Sequence, residues 1–135
     1  MAVAGNSYIV TLKRTHLDWG RHRYTNSRGS VYGEGYIPIP SHIARSFRLY
    51  NSNASYTGLG HNEFNCESSD GLFKGILKSS GCSQSGDIYA KNLHGSGNLK
   101  ALGSWFANVN AQVDDRVEVK WISPVDIMIT LLQSN

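Results

Sequence analysis

The sequence predicts a mainly β domain, seven strands wound into a closed or nearly closed barrel with two short helices. Three observations predict it. Period-two alternation of apolar and polar residues recurs in short segments separated by Gly-, Ser- and Asn-rich turns. Apolar residues at helical spacing occupy two brief stretches. Consecutive strands are joined by hairpin-like turns, which favours a barrel over a layered parallel sheet. With 135 residues, 40% hydrophobic and 17% charged, the chain reads as one globular domain over residues 1–135, neither disordered nor membrane-like.

Tyr8, Val10 and Leu12 alternate with Ile9 and Thr11, so residues 7–17 read as the first strand. Residues 18–33 are polar, basic and aromatic, with Gly20, Gly29 and Gly33 as breakers. A loop this long inside a small domain is usually functional or disordered. Tyr36-Ile37-Pro38-Ile39-Pro40 is a short strand whose prolines place it at an edge or strand end. Ser41 then reads as the N-cap of a helix carrying Ile43, Ala44 and Phe47 on one stripe. Residues 51–60 are loop. Strands follow over 61–66 and 71–77, turned at Ser68-Ser69-Asp70-Gly71.

Residues 78–86 form a second polar loop of Ser, Gly, Cys and Gln, and residues 87–93 return as a strand. Leu99, Leu102 and Phe106, with Trp105 beside them, mark the second helix. Val117, Val119 and Trp121 alternate with Arg116, Glu118 and Lys120. Ser123-Pro124 turns the chain into a last strand over 125–132. Trp105, Trp121, Phe47 and Phe106 follow core periodicity and read as packing.

Net charge is +3, but its distribution is uneven. Residues 1–50 carry seven Lys/Arg against two acids, and residues 51–135 carry six against eight. Lys13, Arg14, Arg21, Arg23 and Arg28 fall close together, opposed by Asp18, and such a cluster points to a polyanionic partner. No apolar run is long enough to span a bilayer, so no membrane partner is expected. No secretion signal is visible, so Cys66 and Cys82 are expected as free thiols in a reducing, cytoplasmic compartment.

Three stretches together resemble the DNA-binding pseudobarrel family: plant B-three domains and the bacterial EcoRII-type effector or recognition domains of restriction endonucleases. They are Gly35-Tyr36-Ile37-Pro38-Ile39-Pro40-Ser41-His42-Ile43-Ala44; Gly86-Asp87-Ile88-Tyr89-Ala90-Lys91-Asn92-Leu93 running into Gly97-Asn98-Leu99-Lys100-Ala101-Leu102-Gly103; and Asp115-Arg116-Val117-Glu118-Val119-Lys120-Trp121. The resemblance covers nearly the whole chain. It implies a seven-stranded open pseudobarrel with two short helices. Two arms would straddle the major groove of double-stranded DNA, one joining the first two strands and one joining the fourth and fifth. Here those places are residues 14–32 and 78–91. The polar loops marked independently by composition lie at both. The resemblance further implies either the target-recognition domain of a restriction endonuclease, with DNA cleavage in another domain or subunit, or a freestanding relative.

Base readout needs side chains that match base-edge donors and acceptors. Arg pairs with guanine, Asn or Gln with adenine, and a carboxylate accepts from cytosine. The first arm offers Arg14, His16, Asp18, Arg21, His22, Arg23, Asn26 and Arg28, with Trp19 and Tyr24 to pack on sugars or brace the loop. The second offers Lys78, Ser80, Ser83, Gln84, Ser85, Asp87, Tyr89, Lys91 and Asn92. Arg14, Arg21, Arg23, Arg28 and Lys78 suit phosphate and guanine contacts. Asp18, Asn26, Gln84, Asp87 and Asn92 suit base-edge discrimination. No cofactor and no metal is required.

Two other function classes have sequence support. A metal-dependent nuclease within this chain would use the Glu118-x-Lys120 pair with an aspartate such as Asp114, Asp115, Asp87 or Asp126. The same alternation describes any half-exposed strand. A protein-binding module would grip an acidic partner with the same polar loops. His16, His22 and Asp18 fit no standard zinc spacing, and Gly95-Ser96-Gly97-Asn98 lacks the rest of a phosphate-binding loop.

Overall fold

The computed structural model describes residues 2–17 and 34–133. Its elements are β1 (Ser7–Thr11), α1 (Arg14–Leu17), β2 (Ile37–Pro38), α2 (Ser41–Phe47), β3 (Glu63–Ser68), β4 (Lys74–Ser80), β5 (Asn92–Gly95), α3 (Ala101–Asn108), β6 (Arg116–Ser123) and β7 (Asp126–Leu132). The seven strands form one sheet in the order β1-β6-β7-β3-β4-β5-β2. All neighbours pair antiparallel except β3 and β7, which run parallel. The sheet curls into a nearly closed barrel with one unsealed seam, a mainly β pseudobarrel as the sequence predicts.

Strand alternation fills the barrel. Tyr8 and Val10 from β1, Phe64 and Cys66 from β3, Leu77 from β4, Val117, Val119 and Trp121 from β6, and Ile127 and Ile129 from β7 all point inward and are buried. Trp121 is the hub. The rings of Phe47 from α2 and Phe64 from β3 meet it edge-on at 5.5 and 5.7 Å, and Tyr8 lies tilted at 6.2 Å. Edge-to-face pairs suit the charge distribution of the rings and add to the area they bury. Helix α3 buries Leu102, Trp105 and Phe106, the stripe read from the sequence. Both cysteines are free, and burial pushes the Cys66 thiol up, well above its ordinary value.

Four local expectations are corrected. The strand expected over 7–17 ends at Thr11, because apolar alternation stops at Leu12. Residues 14–17 coil instead, giving a third short helix among the described residues, and His16 Nδ1 accepts the Lys13 backbone N–H at 2.9 Å across its start. Ser41 is not the N-cap of α2. Pro40 holds that place, with extended backbone and no side-chain cap. The strand expected over 87–93 shrinks to Asn92–Gly95, because residues 88–90 pair with the 49–51 segment instead of β4. Strands β3 and β4 begin two and three residues later than read, at Glu63 and Lys74.

The β3–β4 turn is locked to the rest of the barrel. Gly71 turns with φ +78°, and Asp70 accepts hydrogen bonds from the Ser68 hydroxyl, the Leu72 N–H and the Trp105 indole. Slight burial raises the Asp70 pKa, but these three donors outweigh it and hold the carboxyl below its ordinary value. A depressed carboxylate contributes stability above its unfolded pKa and loses it as pH falls through the folded value. Thermal melts should therefore show stability falling with acidification below about pH 4, with a shallower fall in Asp70→Asn.

Candidate nucleic-acid interface

The first arm begins at α1. Arg14 is exposed at its start. His16 is half-buried. Burial, and then the neighbouring Lys13 charge, hold its imidazole below the ordinary range, so it is neutral at pH 7 with Nδ1 as acceptor. The backbone carbonyl of His16 accepts the Tyr36 N–H at 3.0 Å, and the two rings meet edge-on at 5.0 Å. Residues 16 and 36 thus pinch the base of the arm. On the return side Glu34 and Gly35 are buried. A Cβ on Gly35 would lie 3.0 Å from the Gly103 backbone, so the chain passes hard against α3 at this point. Asp18, Trp19, Arg21, His22, Arg23, Tyr24, Asn26 and Arg28 lie outside the described residues.

The second arm is described throughout. It leaves β4 at Ser80 and enters β5 at Asn92, two residues that pair across the strands, with Ser80 Oγ donating to Asn92 Oδ1 at 2.9 Å. Lys78 lies two residues back on β4, opposite His94. Ser83, Gln84 and Ser85 form an exposed tip. Asp87 closes the tip: its N–H donates to the Gln84 carbonyl, and its carboxylate accepts the Tyr89 N–H at 3.1 Å. Lys91 is exposed, and its N–H donates to the Ser80 carbonyl at 2.8 Å.

A residue that the sequence reading missed holds this arm in place. Asn51 is buried in the connection after α2. Its side-chain amide donates to the carbonyls of Gly81, Asp87 and Tyr89, at 2.9, 2.8 and 3.3 Å. Its Oδ1 accepts the Asn53 N–H, and the Asn53 amide donates to the Asp87 carbonyl at 3.0 Å. Backbone bonds from Asn51 to Ile88 and from Ala90 to Leu49 complete the seam. Nothing in its spacing marked Asn51, since an Asn opening a polar loop reads as a turn residue.

Aromatic stacking reinforces the same seam. Tyr50 stacks on Tyr89 at 5.8 Å, and the Arg45 guanidinium from α2 sits 5.0 Å above the Tyr89 ring. The Ser79 hydroxyl donates to the Tyr50 carbonyl at 2.6 Å.

Both polar segments lead back into one piece of sheet. The first enters β2 at Ile37 and the second enters β5 at Asn92. The two strands pair antiparallel, Ile37 with Leu93 and Pro38 with Asn92. The described segments that lead into β2 and β5 therefore reach this pair from its opposite ends. The Lys91 carbonyl accepts the Ile39 N–H at 2.7 Å, which ties the second stem to β2 directly.

The carboxylates considered for nuclease chemistry do not gather. Asp114 pairs with Lys13 at 3.5 Å, and buried Asp115 accepts the Gln112 N–H. Asp126 braces the β6–β7 turn with Ser123 and Asn65. Glu118 lies within β6 between Ile9 and Thr130. Among the described residues no three His, Cys, Asp or Glu side chains are grouped to hold a metal. A groove of about 550 Å³ lined by Cys66, Ile76, Ile122 and Met128 lies among β3, β4, β6 and β7, with no residue of the second arm in its lining. No helix among the described residues is long and apolar enough to cross a membrane.

No protein-family model matches the chain, and no curated protein sequence does. Solved structures share its fold. The Arabidopsis FUS3-DNA complex superposes with a TM-score of 0.55 at 12% identity, covering 95% of this chain and 97% of that one. The N-terminal domain of Helicobacter pylori LlaJI.R1 superposes with a TM-score of 0.53, also at 12% identity, covering 95% of this chain and 88% of that one. The fold is the pseudobarrel that the sequence resemblance implies.

Removing the Asn51 amide leaves three carbonyls of a packed seam without their donor. Asn51→Ala should cost about 1–3 kcal/mol in chemical denaturation. Asn51→Asp should be at least as damaging, because its carboxylate faces the same carbonyls with no hydrogen to donate.

Proposed function

We propose that this protein binds double-stranded DNA sequence-specifically, through its two arms in the major groove. The observation that carries the reading is the braced second arm, which presents an exposed polar tip on a stem fixed to the rest of the barrel. A stem fixed by Asn51 and by stacked tyrosines loses little freedom on binding, and a pre-organised loop makes a better reader than a floppy one. The FUS3 fold, shared over nearly the whole chain, was solved with DNA, which supports the same partner.

Within this reading the exposed tip residues Ser83, Gln84 and Ser85 meet base edges or phosphates, and Lys91 and Lys78 supply phosphate contacts. Ser80, Asn92, Asp87 and Tyr89 act largely by shaping the arm, since their polar groups or rings engage their neighbours. Arg14 and the basic first arm supply guanine and phosphate contacts. The chain serves as the target-recognition domain of a restriction endonuclease or as a freestanding relative, with cleavage left to another domain or subunit.

Selection from a random duplex library, without metal and at moderate salt, tests the reading. The expected result is an enriched motif of a few base pairs. Retention without enrichment would reduce the function to a basic surface, and no retention would refute DNA binding. On the selected site Arg23→Ala should weaken binding more than on random duplex, by roughly 1–3 kcal/mol if Arg23 reads a base.

A further inference from the structure

Helix α2 carries a cation that arm-based reasoning does not include. Arg45 is exposed, and its guanidinium lies over the ring of Tyr89, which in turn stacks on Tyr50. Tyr89 belongs to the stem of the second arm, not to its tip. Arg45 forms no ion pair among the described residues. An unpaired guanidinium parked on an aromatic face has lost much of its rotamer freedom but keeps its N–H donors available. Its planar fork matches a phosphodiester, which it can meet with two parallel hydrogen bonds.

We propose that Arg45, positioned by the Tyr89–Tyr50 stack, is a phosphodiester contact that extends the DNA-binding surface from the second arm onto helix α2. The inference rests on the duplex-binding reading and deepens it. When the arm tip enters a groove, the arm stem comes to the groove rim, where the sugar-phosphate backbone runs. A stem-side cation is then placed for phosphate and not for base edges. Tyr89 is accordingly a positioning residue, acting through Arg45. The contact is independent of sequence and fixes the depth and angle at which the arm sits.

The test is the salt dependence of binding to the selected site and to random duplex. Each phosphate contact contributes about −0.9 to the slope of log affinity against log salt. Arg45→Ala should flatten that slope by about 0.9 on both duplexes and weaken binding roughly eightfold at 0.1 M salt. Arg45→Lys should restore the slope. Lys74→Ala, which removes the same unit of charge at the β3–β4 end away from the second arm, should leave the slope unchanged. Circular-dichroism melts confirm folding of Arg45→Ala, in which an exposed helical position gains a strong helix former.

An unchanged slope in Arg45→Ala with wild-type binding intact overturns the phosphate contact while leaving DNA binding standing. An equal loss in Lys74→Ala overturns it in favour of net charge. A loss confined to the selected site overturns it in favour of a base contact. Failure of the wild-type protein to bind any duplex overturns both this inference and the reading on which it rests.

Discussion

One buried amide organises the second arm. A loop of eleven residues between β4 and β5 carries peptide groups that the sheet does not pair, and buried peptide groups need partners. Asn51 reaches carbonyls on both sides of the loop, at Gly81 on the outgoing strand and at Asp87 and Tyr89 on the return. One side chain thereby holds the two halves of the arm at a set spacing. The Tyr50–Tyr89 stack and the backbone pairing of 49–51 with 88–90 extend that clamp along the stem. The tip is left with Ser83, Gln84 and Ser85 facing solvent on a base that does not need to order itself on contact.

The barrel explains why the clamp can exist. Trp121 gathers Tyr8, Phe47 and Phe64 at the centre, which draws α2 against the strands and sets the path of the chain after it. Leu49 is fully buried, so Tyr50 and Asn51 emerge at a set point beside the arm. Strand β2 is only two residues long, yet it pairs with β5 at the stem of the second arm and leads into α2. Packing, arm position and the Arg45 stack are consequences of one arrangement.

The sequence showed the architecture well. Strict alternation in residues such as Val117, Val119 and Trp121 predicted the inward face, and seven strands appear in the predicted order. Boundaries failed where local pattern and tertiary partner disagree. Residues 87–91 look like a strand and are extended, but their partners lie in the 49–51 segment, which composition alone reads as the edge of a loop. His16 shows a similar limit. Its place among basic residues offered it for DNA contact, and nothing in that pattern showed that its Nδ1 also caps the turn that ends β1. The second arm was legible as a polar interruption, and Arg45 and Asn51 were not, because their meaning depends on residues 30 to 44 positions away in the chain. Tyr89 and Gly81 become their neighbours only when the barrel closes.

Amide hydrogen exchange, read with and without duplex DNA carrying the selected site, tests the central claim most directly. In the free protein the amides of Ala90 and Lys91 should already be protected, reporting a preformed stem. On adding duplex, exchange should slow in both arms, over residues 14–32 and 78–92, and not along the groove between β3, β4 and β7. Slowing confined to that groove, or no change in either arm at saturating duplex, would contradict the account.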